Sequence, residues 1–240
     1  MLRRDFIGIS TLGVIGILSS FSMLQSKFSK DDLMGKNNPL LFGDEHKLRK
    51  EAHEAFLKMK TEALKSGFRI KVVSSYRSYA HQNKIWERKY KKFTKKGLSP
   101  INAIQKIIEY STIPGTSRHH WGTDLDIVDG NARQPKRLLL AENFESDGPF
   151  CKFKEWMDQY ANTFGFHLVY TDKKNRKGFK YEPWHYSYAP LSVPMLKEYQ
   201  KLDITTELKK TELFGSSFFT ESFIKQYITE NILDINPKLT

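Results

Sequence analysis

One cysteine, Cys151, stands in 240 residues. No disulfide can therefore form within the chain, and a zinc site built on thiolates, which takes two or more of them, is excluded. The thiol precedes an amphipathic run (Phe153, Trp156, Met157, Tyr160, Phe164) and reads as a small core or surface residue rather than a nucleophile. Internal repeats and low-complexity tracts are also missing, which excludes solenoids and disordered arrays. Acidic residues are few beside basic ones, 27 against 39, and the resulting formal charge of +12 suits polyanionic surroundings. No nucleic-acid partner is expected, because the lysines are scattered (Lys89, Lys91, Lys92, Lys95, Lys96; Lys173, Lys174, Lys177) and no nucleic-acid motif accompanies them. What is present is enough apolar and aromatic sequence for one domain of ordinary size with its own core.

The paired Arg3 and Arg4 precede an uncharged stretch from Phe6 to Leu24. A charged start followed by an apolar run has the form of an export signal. The Arg-Arg-x-Phe-Ile order resembles the twin-arginine signal of bacteria, which implies export of an already folded protein to the periplasm or cell envelope. The alternative for residues 1–24 is an N-terminal membrane anchor, since a run of this length just spans a bilayer of ~30 Å. Ser20-Phe21-Ser22 is a poor cleavage site, so cleavage stays open. Residues 25–43, polar and carrying Gly35, Asn37, Asn38 and Pro39, read as a tether.

From residue 44 the periodicity becomes regular. Asp44 is placed to cap a helix whose apolar face is Leu48, Ala52, Ala55, Phe56, Met59, Ala63 and Leu64, ending at Gly67. Arg69 to Ser74 reads as a strand and leads into a loop, Ser75-Tyr76-Arg77-Ser78. A second helix turns Ile85, Trp86, Tyr90 and Phe93 inward and stops at Gly97. Ser99-Pro100 opens a third, with Ile101, Ile104, Ile107 and Ile108 as its buried stripe. Beyond the break at Pro114-Gly115, strands are expected over Thr123–Val128, His167–Tyr170 and Trp184–Tyr188, with a helix over 152–164 and a basic turn from Lys173 to Lys180. Early helices and strands gathered around one segment predict an α+β fold with a small, largely antiparallel sheet. Residues 44–190 form the domain, and 191–240 read as a C-terminal extension of one or two helices.

Two segments carry the chemistry: Ser117-Arg118-His119-His120-Trp121-Gly122-Thr123-Asp124-Leu125-Asp126 and Glu182-Pro183-Trp184-His185. A catalytic zinc takes three protein ligands from neutral imidazole and carboxylate, and His119, Asp126 and His185 supply such a set. Glu182, close in sequence to one ligand, is placed to accept a proton from water. On a strand Asp124 and Asp126 share a face, so Asp124 either orients a histidine or approaches the metal, or lies partly solvated at a groove edge. Strict alternation would put Glu182 and His185 on opposite faces. Pro183 argues against a regular ladder there, which predicts Glu182 in a turn or bulge just before the strand. His120 has the wrong parity for a ligand and reads as structural. No role falls to His46, His53, His81 or His167.

Together these segments resemble the VanY-type D-alanyl-D-alanine carboxypeptidases, whose pattern is Ser-x-His-x-x-Gly-x-Ala-x-Asp followed by Glu-x-Trp-His. Ser117, His119, Gly122 and Asp126 match the first half, Glu182, Trp184 and His185 the second, and Tyr76-Arg77-Ser78 with Gln82 a further segment. The departure is Asp124, where the family has alanine. The resemblance covers roughly residues 45–190 and implies the fold of zinc peptidoglycan peptidases related to lysostaphin and the hedgehog domain. It also implies His119, Asp126 and His185 as zinc ligands and Glu182 as general base and then acid. By the same resemblance Arg77 holds the substrate's carbonyl oxygen or carboxylate, while Gln82 and Ser117 line the pocket of the terminal D-residue. The implied reaction is hydrolysis of the last peptide bond of peptidoglycan stem peptides. The rivals are an endopeptidase of the same group and a catalytically silent wall-binding module.

Overall fold

The computed structural model describes residues 28–240; the export-signal reading of residues 1–24 lies outside them. Among the described residues no helix is long and apolar enough to cross a membrane. The architecture is α+β. Strands β1 (Ile70–Ser74), β2 (Asp124–Asp129), β3 (Phe166–Leu168) and β4 (His185–Tyr188) form one antiparallel sheet in the order β1-β2-β4-β3.

Strand alternation divides the sheet into two faces. Leu125, Ile127 and Tyr186 join a core with Phe56, Met59, Phe153, Trp156 and Phe166, drawn largely from α2 (Lys50–Lys65) and α5 (Cys151–Tyr160). The opposite parity pairs Asp124 with Ser187 and Asp126 with His185. All six residues of β2 are buried, so its polar face is covered as well and must satisfy its own polar groups.

Gly67 ends α2 in the left-handed region (φ 87), and the Phe68 N–H closes back on the Ala63 carbonyl at 2.9 Å, the usual glycine stop. The start of α2 corrects the sequence reading. Asp44 is not its cap; the helix begins at Lys50 after Arg49. The Phe42 and Leu48 backbones instead bond each other at 2.7 and 3.1 Å, so this stretch spends its groups on a narrow turn. In α3 (Tyr79–Lys95) Ser78 caps the first turn. In α4 (Pro100–Ile107) Ser99 is the cap and Pro100 sits at the first helical position. The buried stripe of α4 is Ala103, Ile104, Ile107 and then Ile108, while Ile101, expected inside, is 51% exposed.

A second core fills the space between these helices and the C-terminal residues. Trp86, Ile104, Ile107 and Trp121 pack there with Met195, Tyr199, Leu208, Ile224 and Tyr227. The last five come from α6 (Ala189–Tyr199), α7 (Ile204–Lys209) and α8 (Glu221–Tyr227), which a π turn prolongs through Ile232. The region beyond residue 190 is thus helical but closes the core rather than extending from it. The tether reading is corrected in the same way. Phe28, Leu33 and Met34 are buried, a short helix α1 (Lys30–Leu33) forms, and Trp121 Nε1 donates to the Leu33 carbonyl at 3.0 Å.

Candidate metal centre

The site grows from three elements. After Pro114-Gly115 a single 3₁₀ turn, Arg118–Trp121, presents His119, and Gly122 (φ 66) swings the chain into β2. A side chain at Gly122 would be strained by this left-handed conformation, and its Cβ would press the Leu41 side chain at 2.8 Å. Strand β2 then presents Asp126, and β4 presents His185 directly opposite. One ligand atom from each of His119, Asp126 and His185 lies within 4.8 Å of the other two.

The hydrogen bonds set the histidine tautomers. His119 Nδ1 lies 2.8 Å from the Ser75 carbonyl and must donate to it. Its lone pair is therefore on Nε2, which is buried without a hydrogen-bond partner and lies 3.4 Å from Asp126 Oδ2. Asp126 Oδ1 is likewise buried and unpartnered, 3.9 Å from His185 Nδ1. Burial, with Arg77 adding to it, holds His119 down at about 4. Burial also acts to lower His185, but hydrogen bonds to Asp124 and Glu182 outweigh it and bring that group up to about 9. Two imidazole nitrogens and a carboxylate converging with unpartnered buried atoms fit a zinc-like cation.

Glu182 lies in a turn just before β4, where parity required it. The His185 N–H donates to the Glu182 carbonyl at 3.0 Å, and Glu182 Oε2 comes 3.0 Å from His185 Nδ1. Burial raises the Glu182 carboxyl above the ordinary range, against the opposing pull of His185. Trp184, between them, faces away into a small cluster with Val128, Phe144 and Phe150.

Arg77 hangs over the centre from the loop after β1. Its N–H donates to the His119 carbonyl at 3.1 Å. Nη1 donates to Gln82 Oε1 at 2.9 Å, Nη2 lies 3.8 Å from Asp126 Oδ2, and Nε is buried without a partner. Gln82 donates its amide to the Thr112 carbonyl at 2.9 Å. Fully buried, it braces the guanidinium rather than lining the cavity. Ser117 does line that cavity, with Arg77, Thr112, Arg118, Tyr170 and Glu182. His120 is structural: its Nδ1 donates to the Arg77 carbonyl at 2.6 Å and its Nε2 accepts the Gly115 N–H at 3.1 Å.

Asp124 is fully buried, which removes the groove-edge alternative, and its Oδ2 lies 2.9 Å from His185 Nε2. Sequence reasoning missed Arg118, 3.2 Å from that same oxygen, and the ring of Tyr170, edge-on to His185 at 5.2 Å. Strand parity placed Asp124, but no spacing rule pointed to either of the other two. His46 and His53 bond each other at 2.8 Å, beside Phe56 of the opposite core.

Known proteins resemble this chain in sequence and in fold. The family described as VanY, D-alanyl-D-alanine carboxypeptidase, matches residues 45–191. The bifunctional D-Ala-D-Ala dipeptidase and D-Ala-D-Ala carboxypeptidase VanXYC of Enterococcus gallinarum is 29% identical over 123 residues, covering 51% of this chain and 57% of that one. The structure of VanYB in complex with D-alanine-D-alanine is similar with a TM-score of 0.53 at 21% identity, over 74% of this chain and 92% of that one. A vancomycin-resistance D,D-pentapeptidase VanY in complex with Zn(II) gives a TM-score of 0.51 at 20% identity, over 75% and 88%. At these identities the two structures show a shared fold.

Proposed function

Because the chain belongs to the VanY family of D-alanyl-D-alanine carboxypeptidases, we propose that it is an exported zinc peptidase that removes the C-terminal D-residue from peptidoglycan stem peptides. One observation carries the reading. His119, Asp126 and His185 bring their ligand atoms together within 4.8 Å, and a buried carboxylate and a guanidinium with an unused donor stand beside them. Zinc held by these three residues would polarise a carbonyl and acidify water.

The chain's own residues supply the rest. Glu182, raised by burial, takes a proton from the attacking water as the new C–O bond forms. It returns that proton to the amine nitrogen as the C–N bond breaks, so the carboxylate ends as it began. Arg77 offers its free Nε–H to the oxygen on which negative charge develops, and Gln82 keeps the guanidinium plane fixed. Ser117 and Thr112 line the cavity that receives the terminal residue.

Support for the wall as target comes from the family and from relatives named for D-Ala-D-Ala substrates. Support for export comes from the Arg3-Arg4 start. The test is incubation of the zinc-loaded chain with a defined pentapeptide ending D-Ala-D-Ala, a tetrapeptide ending L-residue-D-Ala, and purified peptidoglycan. Release of free D-alanine, identified by mass, is expected. Internal fragments without free D-alanine would make it an endopeptidase, and binding without products would make it a wall-binding module.

A further inference from the structure

Each element that carries a proposed zinc ligand also contributes one residue to a second, fully buried network. Arg118 immediately precedes His119, Asp124 stands two residues before Asp126, and Ser187 two residues after His185. Asp124 Oδ1 accepts from Thr123 Oγ1 at 2.7 Å and Ser187 Oγ at 2.6 Å. Its Oδ2 accepts from His185 Nε2 at 2.9 Å and Arg118 Nε at 3.2 Å. Arg118 also donates Nη2 to Ser187 Oγ at 2.8 Å, and its guanidinium lies over the Trp121 ring at 4.7 Å.

We infer that Asp124 and Arg118 act together as positioning residues of the metal centre, Asp124 fixing the tautomer and ring plane of His185 while Arg118 balances the charge that Asp124 introduces. The inference rests on the reading of His119, Asp126 and His185 as zinc ligands. With the Nε2 proton committed to Asp124, Nδ1, the nitrogen facing Asp126 and Glu182, is the one that would give up its proton to a metal ion; a ring free to turn would lose that orientation. The carboxylate has a cost of its own. It is a third acid in a dry region that already holds Asp126 and Glu182, and a buried charge persists only with a partner. Arg118, 4% exposed, is that partner, and the same carboxylate oxygen serves both it and His185. An ion pair that served the fold alone would not need the imidazole on that oxygen.

The test compares the full chain with Asp124→Ala and with the double variant Arg118→Met/Asp124→Ala. Each is stripped of metal and titrated with Zn²⁺ by calorimetry, with melting recorded alongside. Asp124→Ala is expected to melt well below the parent, because Arg118 is left buried without its carboxylate. The double variant is expected to regain most of that melting temperature yet bind zinc roughly 10–100-fold more weakly than the parent. Parental zinc affinity in the folded double variant would overturn the inference. Failure of the double variant to fold would overturn it too, by assigning the pair to the core. A parent that takes up no zinc would instead defeat the reading of the metal centre itself.

Discussion

Asp126 and His185 face one another across paired strands, whereas Arg77, Thr112 and Ser117, on the other side of the same cavity, sit on loops that no strand pairing holds. The loops are fixed by side chains from distant parts of the chain. Tyr227 Oη accepts the Ile113 N–H at 3.0 Å and lies 2.8 Å from Thr116 Oγ1. Tyr199 Oη donates to the Gly115 carbonyl at 2.9 Å, and His120 ties the two loops together from within. In the metal corner, Asp126 and His185 thus take their order from a backbone ladder and His119 from the 3₁₀ turn that Gly122 closes, while the wall, the loop side of the cavity, takes its order from the C-terminal helices. Damage to one should be separable from damage to the other.

The largest effects should come from the corner. His119→Ala, Asp126→Ala and His185→Ala are each expected to lose stoichiometric zinc and all measurable turnover; three variants with full metal content would refute the assignment. Glu182→Gln should keep zinc and bind peptide while turnover falls by ~10²–10⁴-fold. Near-parental turnover with zinc in place would remove Glu182 from proton transfer, and loss of zinc would make it a ligand. Arg77→Lys replaces a braced planar donor with an ammonium that cannot reach Gln82 and the cavity in the same way. Zinc should remain, and turnover should fall by about 10²-fold, the cost of a lost donor at a developing oxyanion.

Smaller effects should come from the wall. Tyr227→Phe leaves the Ile113 N–H without its acceptor in a buried place, a loss of about 1–3 kcal/mol. Melting should fall by several degrees and KM should rise, with zinc affinity unchanged. Equal zinc and peptide losses would mean that corner and wall are one unit after all.

This division also marks what the sequence reveals. Imidazole and carboxylate at fixed spacing announce the corner, and the period of two along β2 tells which of its residues share a face. The turn holding Glu182 followed from Pro183 and parity alone. The wall's supports carry no such mark. Tyr199 and Tyr227 lie in sequence that shows only helical character, and periodicity reports which side is buried and not what a hydroxyl will meet. Phe28, Leu33 and Met34 vanished into a polar context and passed for a tether, since local composition cannot see a groove waiting elsewhere in the chain. Asp44 reads as a cap because the pairing of Phe42 with Leu48, which delays the helix to Lys50, leaves no mark in the sequence. Asp124 was placed on the right face, but the cation that makes it tolerable, Arg118, was not foreseen.

The opposite face of the sheet offers the smallest effect and a control for the comparison. His46 is 6% exposed, bonds His53 through Nε2 at 2.8 Å, meets the Phe56 ring edge-on at 4.7 Å and leaves Nδ1 without a partner. Burial first, then the neighbouring His53, holds it down at about 4, against ~6.5 in an unfolded chain. Below ~6.5 the unfolded chain takes up a proton that the folded chain refuses, so stability is fully present above that pH and declines as the pH falls toward 4. His46→Gln, uncharged throughout, removes this dependence. Melting should be followed between about pH 7 and 5.5 with a chelator present, because release of a bound metal in acid would otherwise add its own slope. The parent is expected to lose ~2–4 °C more than the variant over that range, the shift that about 1 kcal/mol produces in a chain of this size. At pH 7 the variant should bind zinc as the parent does, since His46 packs on the far side of β2 from Asp126. Coincident slopes would show that His46 takes up its proton alike in both states, and a weakened zinc affinity would show that the two faces are coupled.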